Sequence, residues 1–140
     1  MHLMKNSIKK SAKALFNMVP ILISILLLIG LLDSFLSKNV YEKVFGHGTF
    51  LDSIIGGLFG SISAGAPVNS YILGGEFLKN GVGLTAVTAF IVTWVSVGVI
   101  QLPIEGKILG MKFAVIRNIS AFVLAIFVAL ITSFIIKIGV

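Results

Sequence analysis

The chain has 140 residues, 57% of them hydrophobic and 11% charged, with a mean hydropathy of +1.10. A water-soluble domain carries about 45–50% apolar and about 25% charged residues, and at this length it buries only about two-thirds of its unfolded surface, so the soluble classes are excluded. The net charge of +6 does not indicate nucleic acid, because the basic residues flank apolar runs where Lys and Arg meet lipid headgroups, and the lack of cysteine excludes disulfides, iron–sulfur clusters and thiolate metal sites.

In chain order, residues 1–13 carry Lys5, Lys9, Lys10 and Lys13 and read as a basic amphipathic segment on the cytoplasmic surface. Helix 1 is predicted over 14–36. Its uncharged run, Ala14 to Leu32, is 19 residues long, longer than the h-region of a signal peptide, and no small-x-small cleavage site follows it. It is expected to be retained. A polar connection with Lys38, Glu42 and Lys43 covers 37–50.

The next segment, 51–78, is rich in glycine and contains Ser61-Ile62-Ser63-Ala64-Gly65-Ala66-Pro67-Val68-Asn69-Ser70. In a helix interior Gly65 costs about 1 kcal/mol and Pro67 about 3 relative to Ala, and Pro67 also disfavours helical geometry at Ala66. Two half-helices, 53–63 and 68–78, meeting at a Gly-Ala-Pro break are expected. The alternative is one helix kinked at Pro67. Helices follow over 83–104 and 113–136, again with uncharged runs long enough to cross a bilayer, which takes roughly 20 residues. The expected fold is all-α: a single polytopic membrane domain over 1–140, with three to four transmembrane helices and one broken or re-entrant helix pair.

Backbone groups freed inside a membrane survive only when buried in protein or facing a watery cavity, and in transporters such discontinuous helices supply substrate and ion sites. Ser61, Ser63, Gly65, Pro67, Asn69 and Ser70 at the break are therefore candidates for a solute or ion pathway, with Thr93, Ser96 and Gln101 from helix 83–104. Thr85 and Thr88 fall near the same helical face as Ser96, and Gln101 is expected inside the bundle. The bland alternative is that these hydroxyls only bond their own helices. Glu76, Glu105 and Arg117 are candidates for ion handling or for structural pairing, Glu76 beside Lys79 and Glu105 with Arg117 or Lys112. Catalytic constellations are nearly absent. Gly60-Ser61-Ile62-Ser63-Ala64-Gly65 resembles the hydrolase G-x-S-x-G elbow but has the wrong spacing and no strand before it. Glu42, His47 and Asp52 offer at most an adventitious metal site. There is no cofactor motif or phosphate loop, so no enzyme activity and no ATP coupling are expected.

Gly56, Gly60 and Ala64, the parallel row Gly57, Ser61 and Gly65, and Ala121, Ala125, Ala129 and Ser133 place small residues at every fourth position. Such rows let helices approach closely in lipid. They serve packing within one subunit or between subunits; four segments form a thin bundle, so a homodimer or higher homo-oligomer is expected. With the cytoplasmic N-terminus fixed, a re-entrant 51–78 leaves seven Lys and Arg inside against four outside, whereas a full crossing leaves six against five. The positive-inside tendency leans towards re-entrance.

The ordered motifs Gly60-Ser61-Ile62-Ser63-Ala64-Gly65-Ala66-Pro67-Val68-Asn69-Ser70-Tyr71, Gly81, Ala89-Phe90-Ile91-Val92-Thr93-Trp94, Leu102-Pro103-Ile104-Glu105 and Gly110-Met111-Lys112-Phe113-Ala114-Val115-Ile116-Arg117-Asn118 resemble the predicted-permease family, which also holds the organoarsenical efflux permeases. The resemblance runs over about 55–135. Members are typically about twice this length with two related halves, and this chain looks like one half. The resemblance implies a small-solute permease driven by an ion gradient, with the Gly65-Ala66-Pro67 break and Glu105 among the family-defining positions. Arsenical transport is not implied, since the cysteines expected for it are missing. The function expected is thus a permease subunit of the cytoplasmic membrane, in contact with membrane lipids and moving an unknown small solute. A non-transporting scaffold or accessory subunit, or a passive channel, are the alternatives.

Overall fold

The computed structural model describes residues 2–35 and 38–139. Met1, Leu36, Ser37 and Val140 lie outside the described residues, and with them the predicted end of helix 1 at Leu36. All regular structure among the described residues is helical: α1 (His2–Phe35), α2 (Lys38–Phe45), α3 (Thr49–Ile62), α4 (Pro67–Lys79), α5 (Leu84–Ser96), α6 (Leu102–Glu105) with a π-helical turn (Gly106–Gly110), and α7 (Met111–Gly139). Two stretches, Asn6–Leu31 and Leu102–Gly139, are long and apolar enough to cross a membrane.

The chain divides into two units, residues 1–35 and 36–140. The first unit is α1, one helix of 34 residues. Its N-terminal part is helical and continuous with the apolar run, because Met, Lys, Ala and Leu before Pro20 are good helix formers with no Gly among them. Pro20 sits inside the helix, where the Ser24 hydroxyl donates to its carbonyl at 2.8 Å. Leu15, Phe16, Leu26 and Leu27 are each more than 60% exposed, an exterior that water does not tolerate at this extent.

In the second unit α3, α5 and α7 form the frame. Gly56 lies on the backbone of Ala86 and Gly60 on that of Phe90. The residue numbers rise together, so α3 and α5 run parallel. Gly65 lies against Trp94 and Gly74 against Val87 and Ile91, so α4 runs antiparallel to α5. The chain therefore reverses direction at Ser63–Ala66, forming a helical hairpin whose arms of 14 and 13 residues are each about 20 Å long. Sequence places the interruption there for a physical reason that the backbone displays: Gly65 has φ +146 and Pro67 stands at the first position of α4, where its missing N–H costs nothing.

α7 runs antiparallel to α5, with Ala89 packed on Ile126 and Ala129, and Gly98 bonded to Asn118. The predicted helix over 83–104 is interrupted: α5 ends at Ser96, and residues 97–101 are irregular before α6 begins. Helix 113–136 extends to Met111–Gly139. Leu102–Gly139 is not one straight rod. Glu105 and Arg117 are 12 residues apart yet bonded at 2.6 Å, whereas a continuous helix would set them about 18 Å apart. The reversal occurs at Gly110, whose φ of +92 suits glycine.

The predicted polar connection 37–50 contains α2. Its Tyr41 and Phe45 pack on Phe77, which meets Phe90, which in turn meets Trp94. The small-residue rows are consumed inside the subunit: Gly56 and Gly60 against α5, Gly57 against Phe122 and Ile126, and Ala125 and Ala129 in the core. These members of the rows serve packing within the subunit, whereas Ala64 and Gly65 at the end of the α3 rows remain exposed.

Candidate functional site

The two interruptions meet. The Val99 N–H donates to the Ser61 carbonyl at 3.3 Å, tying residues 97–101 to the end of α3. The Trp94 indole Nε1–H donates to the Gly65 carbonyl at 3.4 Å, tying α5 to the bend of the hairpin. Other freed groups are also met locally. Val97 N–H donates to Thr93 and Ser63 N–H to Gly60, and the Ser63 hydroxyl donates to Phe59.

Between the interruptions lies a cavity of about 240 Å³, lined by Ser63 and Gly65 from the hairpin bend, by Ser96 and Gln101 from the second interruption, and by Glu105 and Arg117. Arg117 grips Glu105 with two bonds, Nε to Oε2 at 3.2 Å and Nη2 to Oε1 at 2.6 Å. The bidentate geometry is the strong form of this pair, and Nη1 has no protein acceptor among the described residues. Asn118, 5% exposed, links the pair to the break. Its Oδ1 accepts the Gly98 N–H at 2.9 Å, while its Nδ2 donates to Ala114 at 2.9 Å and to Glu105 Oε2 at 3.4 Å.

Helix ends decide the local field. α3 and α5 are parallel and both finish here, so two carbonyl-rich, partially negative ends converge, while α4 begins here with its positive end. The arrangement can hold a small ion or polar solute between backbone dipoles, hydroxyls and one ion pair. The volume lies below that usual for drug-sized ligands.

The sequence-based candidates divide. Ser63, Gly65, Ser96, Gln101, Glu105 and Arg117 line the cavity. Ser61 and Thr93 do not; they are buried and donate to Gly57 and Leu58, and to Ala89 and Phe90, respectively. Both hydroxyls thus only secure their own helices. Pro67, Asn69 and Ser70 belong to α4 beyond the bend: Ser70 is buried and bonds Pro67, and Asn69 packs against Gly65. Thr88 bonds Leu84. Glu76 pairs with Lys79 at 3.1 Å and does not reach the cavity. Gln101 is exposed rather than inside the bundle, because the chain leaves helical geometry before reaching it. Sequence reasoning missed Asn118 and Gly98. A lone glycine in an apolar run and an asparagine opening the next run were the available signals. Comparison with protein-family models, curated proteins and solved structures returns no match.

Proposed function

We propose that this chain is an integral membrane permease subunit that moves a small solute through the cavity between the two interruptions, as a homo-oligomer and coupled to an ion gradient. The observation that carries this reading is the meeting of the two breaks around a polar cavity in a chain with an apolar exterior. Irregular backbone at membrane depth requires a cavity or a protein lining, and here both exist. In the corresponding topology α1, α5 with α6, and α7 cross the bilayer, while α3 and α4 enter and leave on one side. The cytoplasm then holds Lys107, Lys112 and Arg117 with the N-terminal lysines, in keeping with the positive-inside tendency. The thinness of the second unit, with Gln101 exposed at the cavity wall, supports assembly with further copies.

The test is flux in proteoliposomes loaded with a panel of small anions, cations and zwitterions, comparing the wild type with Ser96→Leu, which fills the cavity. At least one solute should move faster than in empty liposomes, and the substitution should abolish that movement. Solute flux that Ser96→Leu leaves unchanged would refute the site. Absence of any flux would favour the scaffold reading, and flux that never accumulates solute against its gradient would favour a channel.

A further inference from the structure

The opposite end of the frame holds a second cavity, of about 430 Å³, where α3 and α5 begin and α7 finishes. Thr49 and Thr85 reach it from the first turns of α3 and α5, and Ser133 and Lys137 from the last turns of α7. Leu130 and Phe134 make much of the remaining wall.

Thr85 distinguishes this cavity. Among the buried polar side chains of the described residues, Ser53, Ser61, Ser70 and Thr93 each donate to a carbonyl of their own helix, and Asp52 and Asn118 are also bonded. Thr85 is 4% exposed, and its hydroxyl makes no hydrogen bond among the described residues. As the second residue of α5 it has no preceding helical turn to donate to, unlike Thr88 and Thr93. No described side-chain nitrogen or oxygen that is sealed from the surface lacks a partner, so the Thr85 hydroxyl keeps an opening, and that opening is the cavity.

The surroundings select the charge of the missing partner. α3 and α5 are parallel, so two positive helix ends share this end of the frame. Their N-caps are Gly48 and Gly83, with no side-chain cap, which leaves first-turn N–H groups open. Lys137 adds an ammonium and offsets the negative end of α7. Asp52 in the first turn of α3 does not line the cavity, and its Oδ1 accepts the His47 N–H at 3.1 Å. An anion is favoured, and the Leu130 and Phe134 wall asks that it carry an apolar chain.

We infer that this cavity binds the phosphate of an anionic phospholipid, which accepts from the Thr85 hydroxyl, Lys137 and the first-turn amides while its acyl chain lies along Leu130 and Phe134. The site goes beyond the permease reading and needs no flux. It is tested by native mass spectrometry of the detergent-purified chain with equal amounts of phosphatidylglycerol and phosphatidylcholine. The wild type should retain phosphatidylglycerol preferentially. Thr85→Val should lower that retention about tenfold and Lys137→Gln roughly fivefold. Thr85→Ser, which keeps the hydroxyl, and Lys107→Gln, away from the cavity, should behave as wild type. Equal retention of the two lipids, retention unaffected by Thr85→Val and Lys137→Gln, or displacement of the lipid by millimolar inorganic phosphate would each overturn the inference.

Discussion

Gly56→Ala probes the closest backbone approach in the frame. A methyl group at position 56 would fall inside contact distance of the Ala86 carbonyl oxygen, 2.9 Å from its carbonyl carbon and 3.1 Å from its Cα. These are backbone atoms of a packed helix and cannot rotate away, so α3 has to retreat from α5 by on the order of 1 Å. Overpacking of this kind costs about 1–3 kcal/mol, and a clash with backbone belongs at the upper end. The better helix propensity of alanine returns up to about 1, leaving a net loss of about 2 kcal/mol. Gly75→Ala is the matched control. It lies in α4 with nothing within 4 Å of the added methyl, so only propensity acts and a gain of about 1 kcal/mol is expected. Unfolding by titration with sodium dodecyl sulfate, followed by the fluorescence of the single tryptophan, Trp94, measures both. If Gly56→Ala matches or exceeds the wild type in stability, the parallel contact between α3 and α5 is wrong.

Three further outcomes follow from the geometry. Because the chain has no native cysteine, the double substitution Glu105→Cys, Arg117→Cys should cross-link within one chain through a short bifunctional maleimide; a failure to link would indicate a continuous helix, which places the two positions about 18 Å apart. Asn118→Ala leaves the Gly98 N–H without its acceptor, so stability should fall by about 1–3 kcal/mol and Gly98 should exchange its amide proton faster in hydrogen-exchange measurements, whereas unchanged protection would show that the bond does not hold the break. A double-mutant cycle with Glu105→Gln and Arg117→Gln should give a coupling of about 1.5–3 kcal/mol, as for hydrogen bonds between charged groups, and additive effects would mean the pair is not formed.

How far the sequence discloses this structure depends on where each bond partner lies. The hairpin bend is legible because Gly65 and Pro67 act on their own backbone, through φ and a missing N–H. The second interruption is not: Val97-Gly98-Val99-Ile100 reads as an ordinary apolar run, and what holds it open is Asn118 20 residues on and the Ser61 carbonyl on α3. α2 escaped notice because it is only 8 residues long and its apolar face is completed by Phe77 from another helix. At the candidate site, residue type indicated the polar neighbourhood but not which side chains turn towards the cavity. Ser61 and Ser63 are two positions apart, and the end of α3 between them sends one into the packing and leaves the other at the cavity.

The glycine contacts also partition the molecule by freedom of movement. α3 rests on α5 backbone against backbone at Gly56 and Gly60, so any sliding drives carbonyl oxygens into alpha carbons, and the two helices behave as one rail. α4 meets α5 at Gly74 through the side chains of Val87 and Ile91, which can change rotamer and let the arm swing. On the permease reading proposed above, a rearrangement that opens the space at the bend to one face and then the other would be carried by α4 with the bend as its hinge, while the rail stays still.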